Sequence, residues 1–384
     1  MMPHYFGGRL PAVLSAIAMG LLPLGAGTRA DGIGESSIPA ALILAPSADN
    51  PRNSEGDFMQ LKDGTLLFIY SHYYAGHGSD HDPAYLAART SRDGGASWSD
   101  DSEKIISNSG KMNVMSVSLL RLTNGEIALF YLLKNGPLDL RPIVRFSTDE
   151  ARTWSEPNEI VSESDRGYYV VNNDRVVQLA SGRLIVPAAF HVDNTPAGFA
   201  QYAEGVCFLS DDQGRSWRRG GVARADRAIT TGLQEPGVVE LSDGRLLMFC
   251  RTNAGAQYFA YSSDHGETWT APQPGTLRSP LSPATIERLP GTTKLLAIWN
   301  DNADRGYQRT PLTAAVSSDD GRSWRHAQNI ESDPGGYYCY TALEFVDDHA
   351  VLAYCAGQRS GAGLATTKIV RLPLEMFTDS ATLD

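Results

Sequence analysis

Long basic runs are absent from this 384-residue chain, and acidic residues outnumber basic ones by 44 to 33, for a net charge of −11. That balance argues against a nucleic-acid partner, whose phosphates call for clustered Lys and Arg. Cysteine is scarce. Cys207, Cys250, Cys339 and Cys355 do not have the spacing of a zinc site. Four cysteines allow three pairings, and sequence does not choose among them. Cys339 and Cys355 stand nearly symmetric about Asp347-Asp348, which places them to face each other across a hairpin, either as a disulfide or as two buried thiols. Helical periodicity of useful length is missing. So are metal-ligand spacings and phosphate-cradling glycine loops, and no cofactor is expected.

The one long apolar stretch lies at the start, from Leu10 to Leu24, interrupted by Pro11, Gly20 and Pro23. Arg9 precedes it, and Thr28-Arg29-Ala30 follows with small residues where a signal peptidase reads. The expectation is an export signal over residues 1–30 and a mature chain of 31–384, secreted or periplasmic, with no membrane-spanning segment after cleavage.

What the chain has in quantity is one short pattern, Ser-x-Asp-x-Gly-x-Thr/Ser-Trp. Its five copies start at residues 91, 147, 210, 262 and 317, and hold five of the six tryptophans. Only the second departs, with Ala151 in the Gly slot. Spacings of 56, 63, 52 and 55 residues are those of a repeat architecture. Within the pattern the Asp is suited to cap backbone N–H groups of its own turn, the Gly to take a left-handed conformation, and the Trp to pack between units. These are structural roles.

A second repeat interleaves with the first. Alternating apolar strands flank Asp63-Gly64, Asn124-Gly125, Ser181-Gly182, Asp243-Gly244, Pro290-Gly291 and Asp347-Asp348. Asp-Gly and Asn-Gly in this setting predict tight hairpins with positive φ at both central positions. In each unit a third strand leads into the Trp pattern and a fourth follows it. Six hairpins and four antiparallel strands per unit predict an all-β, six-bladed β-propeller. The sixth unit has no Trp pattern. Its outer strand is expected from Ala40-Ala41-Leu42-Ile43-Leu44, which would close the ring and remove an open edge.

With its Asp boxes and six blades, the chain resembles the sialidase (neuraminidase) superfamily over almost all of residues 31–384. The resemblance implies three arginines gripping a substrate carboxylate, a Tyr–Glu pair supplying the nucleophile, and an Asp as acid and base. Glu235 in Gln234-Glu235-Pro236-Gly237, with Arg251 after the next strand, is similar to the family's Glu and second Arg. Arg309, just before the fifth box, matches the third Arg, and Tyr340 in Tyr340-Thr341-Ala342-Leu343 the nucleophile. Arg52 stands where the first Arg belongs, followed by Asn53-Ser54-Glu55 instead of Ile-Pro. Asp82, in Ser79-Asp80-His81-Asp82-Pro83, takes the acid/base role, with Asp80 and then Asp57 as rivals. Cys355 occupies a place where the family often has a Glu bracing the first Arg, a part for which Glu55 is the substitute. The implied partners are sialylated or other acidic glycans.

The chemistry asks for such residues. Guanidinium groups fork onto a carboxylate with paired hydrogen bonds that Lys cannot imitate. That carboxylate would repel an anionic nucleophile, whereas a phenol deprotonated by Glu235 as it attacks avoids the clash. Asn172-Asn173-Asp174-Arg175 opens the third unit at the strand position of Glu235, so either it lines the same pocket or it is a polar entry to a strand. His81 is placed to assist Asp82, and His191 to end a strand. Two other readings stay open: a propeller hydrolase or lyase for another acidic sugar such as a uronate, and a glycan-binding propeller without catalysis.

Overall fold

The computed structural model describes residues 38–304 and 306–377; the expected export signal lies outside the described residues. Six antiparallel sheets follow one another along the chain. Blade one runs Arg52–Gln60, Leu66–Tyr73, Ala84–Ser91 and Glu103–Ile106, each strand paired with the next. Blades two, four and five repeat this order. Blade three does so with its innermost strand broken into Tyr169–Val170 and Val177–Gln178. Blade six takes its outermost strand from the other end of the described chain. Leu42–Leu44 pairs antiparallel with Thr367–Pro373, Leu42 opposite Ile369 and Leu44 opposite Thr367. The ring is therefore closed by backbone hydrogen bonds between the two ends of the described chain, as the sequence predicts, and the outer edge of blade six is covered over Thr367–Ile369.

The core is partitioned by blade. Each of the six major apolar clusters joins one blade to its neighbour. Leu67, Ile69 and Leu86 of blade one meet Val114, Leu119 and Leu129 of blade two. At the closure, Phe68 and Tyr70 of blade one meet Val351, Ala353 and Ile369 of blade six. Burying one such Leu or Phe contributes about 1.5–3 kcal/mol, so packing between blades is a large part of what holds the ring.

The Trp patterns do what their residue types suggest. In the first, Ser97 donates its N–H and hydroxyl to the two Asp93 oxygens at 2.8 and 2.5 Å, and Gly95 N–H donates to Ser91 Oγ at 2.9 Å. Those bonds from Ser97 hold the Asp93 carboxyl down at about 2. The same network recurs around Asp149, Asp212, Asp264 and Asp319. In the second copy Ala151 takes the left-handed conformation of the missing Gly, at φ 64°.

The hairpin turns differ from expectation in one respect. Gly64, Gly125, Gly182, Gly244 and Gly291 have positive φ, but the residues before them do not. Leu61 accepts from Gly64 N–H at 3.0 Å and donates to Thr65 O at 2.8 Å, so the connection is longer than a two-residue turn and needs one left-handed position only. Cys339 and Cys355 are register partners across the blade-six hairpin. Both are buried free thiols, as are Cys207 and Cys250.

Candidate active site

The innermost strands of blades one, two, four and six all break register near their starts, between Ser54 and Asp57, Met115 and Ser118, Gln234 and Gly237, and Cys339 and Ala342. At each bulge one residue is left-handed: Glu55 (φ 53°), Ser116 (61°), Glu235 (45°) and Tyr340 (57°). A bulge inserts an extra residue and re-aims its side chain. Here all four side chains line one cavity of about 310 Å³. A left-handed non-Gly residue costs roughly 1–2 kcal/mol, and such strain is found where a side chain has to be presented. Gly237 completes the blade-four bulge: a Cβ there would lie 2.2 Å from the Phe249 ring.

The structure brings four of the six sequence-predicted residues onto the wall of this cavity: Glu235, Arg251, Arg309 and Tyr340. The Tyr340 hydroxyl donates to Glu235 Oε1 at 3.2 Å, and Arg251 Nη1 stands 3.1 Å from Glu235 Oε2. That ion pair is close in distance but lacks the alignment of a hydrogen bond; Arg251 Nε is held by Gln234 Oε1 at 3.1 Å. Burial first, then the Glu235 charge, pushes the Tyr340 phenol well above its ordinary range, with Arg251 and Arg309 opposing. Arg309 is 2 % exposed. Its Nη2 donates to Leu281 O at 3.3 Å, while Nε and Nη1 have no hydrogen-bond partner among the described residues. Buried guanidinium donors without acceptors are costly, and the arrangement suits an anion entering the cavity. The rings of Tyr337 and Tyr340 lie 4.9 and 5.3 Å from the Arg309 guanidinium carbon.

Arg52 is placed differently. It lies behind the cavity wall, with every edge of its guanidinium engaged: Nε to Ser54 Oγ at 2.7 Å, Nη2 to Glu55 at 3.0 Å, and Nη1 to Asp80 at 2.6 Å. Tyr73 covers its face at 4.7 Å. Glu55 thus braces Arg52, the part proposed for it from sequence.

Of the three candidate acids, Asp80 is the one on the cavity wall. Its side chain is more than half exposed; partial desolvation at the wall pushes its carboxyl up, but Arg52 and then Lys134 outweigh this and hold it below the ordinary range. Asp82 instead turns back into its own loop, accepting the N–H groups of His77 at 2.8 Å and Ser79 at 2.9 Å. These bonds, Ser79 foremost, lower its carboxyl. Asp57 accepts Phe58 and Leu119 N–H, both at 2.7 Å, and faces a second cavity farther along the inner strands, shared with Asp174, Glu287 and Glu344.

The Asn172–Arg175 run divides between these places. Asn172 lines the first cavity. Asn173 donates to Gly56 O at 2.8 Å and Tyr340 O at 3.1 Å, tying the bulges of blades one and six together. Asp174 accepts from Leu343 N at 3.0 Å, and Arg175 donates to Ala284 O at 2.7 Å, both on the far side. His191 lines the cavity with Nδ1 against Ala200 O at 2.9 Å, and burial lowers it to about 4. His81 is exposed beside Asp80. Sequence reasoning missed Lys134, Tyr168 and Tyr337 on the wall. Lys134 had left a signal, being the single charged residue in the apolar strand Ile127–Gly136.

A model of the BNR repeat-like domain family matches residues 89–351. Among curated proteins, a sialidase of Bacteroides fragilis is 28% identical over 217 residues, covering 53% of this chain and 37% of the relative. A sialidase of Micromonospora viridifaciens is 29% identical over 225 residues, covering 54% and 32%. The chain thus spans about a third of the length of these relatives. Among solved structures, a Hadza microbial sialidase superposes with a TM-score of 0.69 at 19% identity, over 85% of this chain and 66% of that one. The leech intramolecular trans-sialidase gives 0.69 at 14% identity, over 91% and 72%. At those identities the structures speak for the fold alone.

Proposed function

We propose, for a chain that belongs to the BNR repeat-like domain family of the sialidase superfamily, that it is an exported exo-α-sialidase working with retention of configuration. The observation that supports this most directly is the contact of the Tyr340 hydroxyl with Glu235 beside Arg251 and the unpaired donors of Arg309, inside one cavity. Arg251 and Arg309 bind the carboxylate of a terminal sialic acid or related 2-keto acid sugar, with Arg52 behind them. Glu235 Oε1 takes the phenol proton as Tyr340 Oη attacks the anomeric carbon, and the glycosidic oxygen leaves with a proton from an acid. Water, deprotonated by the same residue, then displaces Tyr340, which recovers its proton from Glu235. Two inversions at one carbon give net retention.

The acid/base role is assigned to Asp80 rather than Asp82, because Asp80 lines the cavity and Asp82 is spent on its own loop. Export rests on the N-terminal sequence pattern. The test is release of sialic acid from a fluorogenic α-sialoside by residues 31–384, with Tyr340→Phe and Arg309→Ala alongside. Turnover abolished by both substitutions in folded protein is the expected result. Release of a uronate but no sialic acid, or binding of sialosides without turnover, would reject it in favour of one of the two other readings.

A further inference from the structure

Blade two reaches into the loop of blade one that carries Asp80. Lys134 and Asn113 are register partners on the two inner strands of blade two. Lys134 Nζ donates to the Asp80 carbonyl at 2.8 Å, and Asn113 Nδ2 donates to the carbonyls of Asp80 and Asp82 at 3.0 and 2.9 Å. The Lys134 side chain is 1 % exposed, lines the cavity, and stands 5.5 Å from the Tyr168 ring. Taking an ammonium out of water costs several kcal/mol, and a single backbone carbonyl returns little of it. Burial accordingly lowers the Lys134 amine, with the Asp80 and Glu55 charges opposing. A methionine would fill the same volume without that penalty, so packing gives no reason for a charge here.

We infer that Lys134 is a positioning residue for Asp80, fixing the loop through the Asp80 carbonyl and holding the carboxyl group at the cavity wall alongside Arg52. The inference rests on the acid/base role proposed for Asp80. Arg52, from the inner strand of blade one, pairs with that carboxyl at 2.6 Å, and Lys134 of blade two adds its charge from the Asp80 carbonyl. Glu55, Tyr73, His81 and Tyr168 are the other titratable groups that act on it among the described residues. Removing the Lys134 charge leaves Arg52, with a smaller share from His81, to favour the carboxylate, so Asp80 takes up its proton at a higher pH. The loop also loses one of its three ties to blade two.

Lys134→Met and Lys134→Arg test this in residues 31–384 by two readouts. The first needs no substrate: the Asp80 carboxyl carbon is followed by NMR titration, assigned through Asp80→Asn. Lys134→Met should raise its midpoint by about half a pH unit or more, while Lys134→Arg stays near wild type. The second is turnover of an unactivated sialoside. Lys134→Met should lower kcat about tenfold with KM little changed and shift the pH limb in step with the titration, and Lys134→Arg should restore most of the loss. An unmoved Asp80 midpoint overturns the inference. So does a loss of kcat/KM that is equal at every pH and not rescued by Arg, since that is the mark of a structural defect. Should Lys134→Met fail to fold, Lys134→Gln keeps an N–H donor, removes the charge and decides the same titration. If no variant, wild type included, releases sialic acid, the proposed activity falls, yet the Asp80 midpoint still rules on Lys134.

Discussion

Arg52 and Asp80 form the shortest ion pair of the candidate site, 2.6 Å between Nη1 and Oδ1, across 28 residues of sequence. The pair favours the ionised form of the proposed acid. General acid catalysis needs the protonated form, whose population grows as pH falls.

Exchanging Asp80 and Asp82 separates the two carboxylates by function. Asp80→Asn should lower kcat by about 10²–10⁴ on a sialoside with a poor leaving group, and far less on an activated aryl sialoside that departs without a proton. Asp82→Asn keeps an acceptor for the N–H groups of His77 and Ser79, and should retain most activity on both substrates. Comparing kcat on the two substrates for each variant checks the assignment; equal losses for Asp80→Asn on both would count against it.

Ala151 is the one non-Gly residue in the Gly slot of the five boxes, held at φ 64°. The strain of that conformation, roughly 1–2 kcal/mol, is partly offset by the smaller conformational freedom of Ala in the unfolded chain. Ala151→Gly should therefore stabilise the protein, by about 0.5–1 kcal/mol. Urea denaturation of the two proteins at one pH measures it.

Burial, followed by the charge of Asp174, pushes the Glu344 carboxyl from 4.5 up to about 7. The folded state thus binds this proton more tightly than the unfolded state does. Its contribution to stability is fully present below pH 4.5 and lost as pH rises through about 7. Glu344→Gln carries no titrating group, so its stability should fall less steeply between pH 5 and 8 (a window of about three units, set by the same linkage). Urea midpoints at the two ends of that window would show it, and parallel slopes for the two proteins would contradict it.

The Gly237 backbone passes so near Phe249 that a methyl group would sit 2.2 Å from the ring. Gly237→Ala should cost about 1–3 kcal/mol through overpacking, and Phe249→Leu in the same chain should recover part of it. Thermal unfolding of the single and double variants reports the coupling. Because Glu235 is two residues away on the same bulge, the single variant should also lose turnover.

Much of the molecule is written locally. Ser, Asp, the Gly position and the Ser or Thr before the Trp satisfy one another's hydrogen bonds within eight residues, so the boxes are legible wherever they occur. Glu235, Arg251, Arg309 and Tyr340 were picked out by the resemblance to the sialidase superfamily, helped by their register with hairpins and boxes, and the structure brings the four to one cavity wall. Asp80 and Asp82 were not separable that way. They are neighbours in an irregular loop, and periodicity says nothing about which one turns inward.

By itself, then, the sequence determined how many blades there are, where each turns, and which strand starts reach the axis, since strand alternation and turn chemistry act over a few residues. Tertiary structure alone decided that Asp80 faces the cavity and pairs with Arg52, and that Lys134 stands beside them. Arg52, Asn113 and Lys134 hold that loop from 28, 33 and 54 residues away. The first needs blade one alone, but the other two exist only once blade two has packed against it.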